Sequence, residues 1–251
     1  MSSKVRWSLP DGVDELLPPK AIEVEKLRRK LIDEYIDSGY EFIIPPLLEL
    51  SESIGGEAHD EIQSYAFTFK DNLTGKDLSI RPDISEQASR IDAYRIQSND
   101  AVKLCYAGEV VKSKSSKILR SRTTIQVGAE IFGDSSMAAE LESIKLMLKS
   151  LEISGIKNIT LGIGHAGFTA SVLNQFQELG QEKLTLIEKA LSKKSISDLE
   201  NLVPNEHKHK ASILTLCEMY GDLDIISKAK EEFAYLDSSN ESLSHLETIV
   251  N

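Results

Sequence analysis

Three residues in the middle of the chain have the types and spacing to hold a small cationic molecule. Asp83 follows a short β-prone run, and Gln126 and Glu130 lie in the alternating stretch 123–131. Side chains along a strand point to opposite faces in turn. Thr124, Gln126, Gly128 and Glu130 therefore share one face, and Ile125, Val127, Ala129 and Ile131 share the other. A carboxylate and a carboxamide thus flank a glycine that leaves bare backbone on which a small molecule could lie. Ionised carboxylates only accept hydrogen bonds, which suits a ligand rich in N–H donors such as an α-ammonium or an imidazole. The same alternation also fits an antiparallel sheet that simply wets one face.

A second cluster is cationic. Residues 112–122 carry Lys112, Lys114, Lys117, Arg120 and Arg122 and no acid, in a chain whose net charge is −11. This run could meet a phosphate or an acidic partner surface, or serve as a solvated loop. Other chemistries lack their residues. No Ser, Cys or Lys stands beside a histidine as a nucleophile stands beside its base, so no catalytic residue is assigned. Gly162-Ile163-Gly164 lacks the third glycine of a nucleotide fingerprint. His207 and His209 alternate with lysines whose charge opposes a metal, so a solvated turn is expected there, with neither metal nor cofactor.

The elements that must position these residues follow from local patterning. The opening segment, Trp7 to Leu17, ends at Pro18-Pro19, where an amphipathic helix should begin and run to a left-handed cap at Gly39. A strand over 40–44 is cut off by Pro45-Pro46, and Gly55-Gly56 marks a mobile turn. Strands over 64–69 and 78–80 form a hairpin, a helix covers 84–97, and long strands cover 102–111 and 123–131. Asp134 or Ser135 should cap the next helix. A short strand is expected over 159–163. From His165 onward strand signals vanish and amphipathic helices follow one another, which marks a helical subdomain over 165–251 beside a core over 1–164. The last helix, 242–250, stops abruptly at Asn251.

Composition bounds the function further. Hydrophobic residues make up 41% of the 251 and charged residues 27%, as in an ordinary globular protein. The acidic balance argues against gripping a phosphate backbone. Two distant cysteines, Cys105 and Cys217, suggest no disulfide framework, and neither a membrane span nor the apolar core of a signal peptide is present in the sequence. A cytoplasmic protein is expected.

Several of these stretches resemble a known family. Gly39-Tyr40-Glu41 with Pro45-Pro46 looks like the first motif of class II aminoacyl-tRNA synthetases, which forms a dimer contact. Residues 64–71, 78–83, 106–108 and 126–133 are similar in order and spacing to histidyl-tRNA synthetase. Residues 9–19 and 87–95 look more like its non-catalytic branch, the regulatory subunits of ATP phosphoribosyltransferase. The resemblance covers roughly 7–165 and is weaker beyond.

It implies an α+β fold, a class II synthetase-like antiparallel sheet flanked by helices, with a helical insertion-like region at the C-terminal end. It implies a histidine site at Asp83, Ser85, Gln126 and Glu130, and a homodimer contact over 40–50. It also implies docking on the short catalytic subunit of ATP phosphoribosyltransferase in a hetero-octamer that starts histidine biosynthesis, with no tRNA bound. Two departures from synthetases stand out. Lys112 occupies the place of the arginine that grips the ATP phosphate, and the third motif is expected beyond Asn251. Adenylation is therefore not expected. Two other readings stay open: a fragment of a histidyl-type synthetase core, and a dimerisation module kept for its core alone.

Overall fold

The computed structural model describes residues 8–54, 60–115 and 120–250. Trp7, Gly55, Gly56, Lys117 and Asn251, all named above, lie outside the described residues. The chain divides into two compact units between Asn158 and Ile159.

The first unit contains, in order, α1 (Lys20–Asp37), β1 (Glu41–Ile43), β2 (Leu48–Leu50), α2 (Asp60–Ser64), β3 (Phe67–Lys70), β4 (Asp77–Ile80), α3 (Ser85–Ile91), β5 (Val102–Val111), β6 (Thr123–Phe132) and α4 (Met137–Ile153). α1 follows Pro18-Pro19 directly and ends before Gly39, whose φ of +89° relieves the last turn in a conformation that suits glycine. The strands form two ladders, β1-β5-β6 and β2-β4-β3. Three of the four pairings are antiparallel, and β1 runs parallel to β5. In the long pairing Tyr106 faces Gly128, Gly108 faces Gln126 and Leu104 faces Glu130.

Alternation in β5 and β6 feeds two cores. One face gives Leu104, Tyr106 and Val110, which pack with Ile84 and Ala88 at and within α3. The other gives Cys105, Val127, Ala129 and Ile131, packed against Tyr35 of α1, Leu146 of α4, and Tyr40. The expected sorting of β6 side chains is therefore the one observed.

Several boundaries differ from expectation. Ser64 closes α2, so the strand expected from 64 begins at Phe67. The helix expected to reach Gln97 is α-helical only to Ile91. Beyond it, Asp92–Ile96 widens to a π-turn, in which the Gln97 N–H bonds back to the Asp92 carbonyl across five residues. Neither Asp134 nor Ser135 caps α4. Ser136 does, accepting from the Ala139 N–H, and Asp134 accepts in turn from Ser136 N–H at 2.8 Å. β2 was not foreseen, because Pro45-Pro46 ends one strand only two residues before Leu48 starts another.

The second unit is helical: α5 (Ala166–Leu173), a 3-10 turn over Asn174–Leu179, α6 (Gln181–Ser192), α7 (Ile196–Leu202), α8 (Lys210–Glu218), α9 (Asp224–Glu232) and α10 (Asp237–Val250). Its core is built from Phe168, Val172, Phe176, Ile187, Leu199, Ile213 and Phe233. The strand expected over 159–163 does not form. Alternation there is a local signal, and a strand also needs a partner's backbone. The turn at His207 and His209 is solvated at Asn205, Glu206 and Lys208, as expected, but its imidazole rings are packed. The His207 side chain is only 7% exposed, stacked on Phe176 with centroids 4.4 Å apart, and His209 stacks on Tyr235 at 5.2 Å. Of the flanking lysines, Lys208 is exposed, while the Lys210 ammonium turns back onto the carbonyls of Glu200 and Val203.

Candidate functional site

β4 ends at Ile80, and Arg81-Pro82-Asp83 carries the chain into α3, which brings Asp83 beside the polar face of β6. Asp83 Oδ1 accepts the Ser85 N–H at 2.7 Å and a Gln126 Nε2 proton at 3.3 Å. Gln126 Oε1 accepts the Ile84 N–H at 3.0 Å. The carboxamide is thus held at both ends, and its orientation is defined. Tyr106 Oη donates to Glu130 Oε1 at 3.0 Å and lies 2.9 Å from Ser85 Oγ, which must then donate to it. The four residues named from sequence are therefore gathered by two hydrogen-bonded groups on one face, Asp83–Gln126 and Ser85–Tyr106–Glu130, joined by the Ser85 backbone.

Tyr106 is the member that sequence reasoning missed. It is buried, and burial first, then the Glu130 carboxylate, holds its phenol above the ordinary range, so it remains a protonated donor. It also corrects one expectation. The bare backbone at Gly128 is not open to a ligand, because the Tyr106 ring fills the space, its Cζ 2.5 Å from where a Cβ would stand. A large residue directly across the ladder from a glycine was the available signal. Among the described residues, the second oxygens of Asp83 and Glu130 carry no hydrogen bond, so each keeps acceptor capacity.

Beneath the site runs a buried polar anchor. Arg81 donates from Nε to the Glu109 carbonyl at 2.8 Å, and from Nη1 to the Pro45 carbonyl at 2.8 Å and Gln87 Oε1 at 3.3 Å. Gln87 donates at 2.8 Å to both the Pro46 carbonyl and Glu49 Oε1, and Arg90 pairs with Glu49. Desolvation lowers the pKa of Arg81, which is 7% exposed. Its guanidinium also explains Gly108, where a Cβ would collide with Nη2. The anchor ties the β1–β2 link, β5 and α3 together. In and around the β1–β2 link, Phe42, Ile44, Leu47 and Leu48 are exposed apolar residues, Ile44 at 84%.

The cationic run divides. Lys112, Lys114 and Arg120 are exposed. Arg122 is engaged: its guanidinium lies 4.6 Å over the Phe67 ring and donates to the carbonyls of Asp11 at 3.1 Å and Lys112 at 3.2 Å. It clamps the opening segment at Gly12, whose φ is +74°. Among the described residues no three His, Cys, Asp or Glu side chains group as metal ligands, and no helix is long and apolar enough to cross a membrane.

Comparison with known proteins places the chain. The histidyl-tRNA synthetase family model matches residues 12–251. The ATP phosphoribosyltransferase regulatory subunit of Cellvibrio japonicus is 34% identical over 248 residues, 97% of this chain and 62% of its own length. That of Saccharophagus degradans is 37% identical over 231 residues, 91% of this chain and 58% of its own. This chain thus spans about three-fifths of the length of the curated relatives it matches. Among solved structures, a Bacillus halodurans protein described as an ATP phosphoribosyltransferase regulatory subunit/histidyl-tRNA synthetase superposes with a TM-score of 0.81. It is 21% identical, with 99% of this chain and 65% of the other covered. Histidyl-tRNA synthetase from Nostoc gives 0.72 at 17% identity, covering 97% and 56%. These structures agree with the α+β class II synthetase-like fold. The chain belongs to the histidyl-tRNA synthetase family.

Proposed function

We propose that this chain acts as a regulatory subunit of ATP phosphoribosyltransferase, without chemistry of its own, and binds histidine as an effector. The observation that carries the histidine site is the pair of carboxylates, Asp83 and Glu130, each with one oxygen left to accept, on either side of the oriented Gln126. An α-ammonium and an imidazole N–H supply the donors such a pair takes. The names and 34–37% identities of the relatives support the regulatory role. Lys112 supports the absence of adenylation, since a lysine is a point charge that cannot fork onto a phosphate as arginine does.

In this reading residues 1–164 are the synthetase-like core and 165–251 an insertion-like helical part. The exposed apolar residues Phe42, Ile44, Leu47 and Leu48 make the homodimer contact. Lys112, Lys114 and Arg120, with Lys117 and Arg122 of the same run, attract an acidic surface of the short catalytic subunit. A cytoplasmic hetero-octamer is the assembly expected, and tRNA is not a ligand.

Calorimetric titration of histidine into the chain, with and without the short catalytic subunit, tests the proposal. Binding, together with co-purification and faster turnover of the catalytic subunit, is the expected result. Histidine-dependent exchange of pyrophosphate into ATP above background, or no complex with the catalytic subunit, would overturn it.

A further inference from the structure

The helical unit contains four of the chain's five histidines, arranged as two pairs; the fifth, His59, lies outside the described residues. His165 precedes α5, and its Nδ1 accepts the Gly167 N–H at 3.1 Å. A ring nitrogen that accepts carries no proton, so neutral His165 bears its proton on Nε2. That atom lies 3.2 Å from His245 Nδ1 on α10 and donates to it. The same polarity recurs at α8. His207 Nδ1 accepts the N–H of His209, the residue ahead of α8, at 3.2 Å, and its Nε2 faces Glu178 Oε1 at 2.8 Å. His209 Nε2 is buried with no partner.

We propose that the helical unit is a pH-responsive element: α5 starts on a neutral imidazole acceptor, the turn leading into α8 is held by another, and both loosen when those rings take a second proton. On His165 and His207 the only nitrogen open to that proton is Nδ1, the atom already accepting a backbone N–H. Protonation turns each contact from a hydrogen bond into two donors facing one another. It also sets a cation at a helix N-terminus, where the helix dipole is already positive.

His207 and His209 are faced by Glu178 of the 3-10 turn, by Lys208 beside them, and by Tyr235 after α9. The Lys210 ammonium is taken up by the carbonyls of Glu200 and Val203 and by Asn205. His165 faces His245, and Ser242 of α10 lies by Gly167; Glu247 of α10 is tied to Lys230 of α9 at 2.5 Å. Of these, the Glu178 side chain is 62% exposed and screened by water. Burial, Lys208 and His207 together keep His209 below the ordinary histidine range.

Hydrogen exchange of this chain between about pH 7.5 and about pH 5, corrected for intrinsic rates, tests the proposal. Protection of peptides spanning α5 and α8 should fall roughly tenfold per pH unit for each linked proton, while the β5–β6 ladder keeps its protection. The double variant His165→Asn, His207→Asn supplies acceptors that do not titrate and should retain protection at the lower pH. Should that variant fail to fold, nitrogen-15 NMR of the unaltered chain's imidazoles decides. Nε2–H tautomers near neutrality, with ring protonation coinciding with loss of α5 and α8 protection, are expected. Rings that protonate while protection stays unchanged, or protection lost equally in both units, would overturn the proposal.

Discussion

Tyr106 occupies the space beside Gly128 that the Cβ of any other residue would take, its Cζ 2.5 Å and Cε2 2.8 Å from that point. The ring can reach Glu130 only because the opposing strand has no side chain there. Gly128→Ala should therefore displace Tyr106, break its link from Ser85 to Glu130, and cost about 1–3 kcal/mol as an overpacked contact. Urea unfolding measures the cost. An unchanged midpoint would show that the ring has room to move.

Tyr106→Phe isolates the hydroxyl. The ring still covers Gly128, but the Glu130 oxygen and Ser85 Oγ lose their partner, a change of about 1 kcal/mol in stability. On the proposed function histidine affinity also falls, because Glu130 is no longer held in place. Calorimetry alongside unfolding separates the two effects. Equal histidine affinity in both proteins would remove Tyr106 from the site.

On the proposed function, Gln126→Ala and Glu130→Ala should each weaken histidine binding by about 1–3 kcal/mol, the typical cost of an unpaired buried polar group. They should differ in stability. Gln126 also satisfies the Ile84 N–H ahead of α3 at 3.0 Å, so its loss leaves that donor without its acceptor. A stability loss in Glu130→Ala exceeding that in Gln126→Ala would contradict this ordering.

The polar face of β6 was legible because period-two alternation is a local property, and ten paired residues of β5 and β6 preserve it. Asp83 was legible as a polar residue just past a strand end. Tyr106 was not, since its role depends on register across a hairpin, which places it opposite Gly128. Arg81 and Gln87 read as ordinary polar residues, and their burial follows from where Pro45, Pro46 and Glu109 present carbonyls. His207 and His209 misled for a similar reason. Alternation with lysines is a solvent signal locally, while Phe176 and Tyr235, which stack on the rings, come from distant segments.

Arg81→Lys tests the buried anchor. Lysine keeps the charge but cannot make the fork to the Glu109 and Pro45 carbonyls, so acceptors are left unpaired at about 1–3 kcal/mol each. Because the Pro45 carbonyl adjoins the exposed Ile44, the homodimer contact proposed above should weaken as well, as measured by sedimentation. Stability matching that of the unaltered chain would mean that water replaces the fork.

Cys105 supplies a prediction at alkaline pH. Its side chain lies between Tyr35, Tyr40 and Leu146, and burial pushes its thiol up from 9.0 to about 11. The folded protein therefore keeps this proton over a range in which the unfolded chain releases it. The sign follows: the contribution to stability is complete below about 9 and is lost as pH rises toward 11. Iodoacetamide, which reacts with the thiolate, should leave Cys105 unmodified in the folded protein near pH 8 and label it once urea unfolds the chain. Tyr40 in the same cluster is also raised, by burial and then by the Glu142 carboxylate, so alkaline destabilisation has two sources. Cys105→Ala removes one of them. The variant should lose less stability between about pH 9 and about pH 11 than the unaltered chain, even though its cavity costs about 1 kcal/mol at neutral pH. Rapid labelling of folded Cys105 near pH 8 would show that the sheet opens at this point without global unfolding.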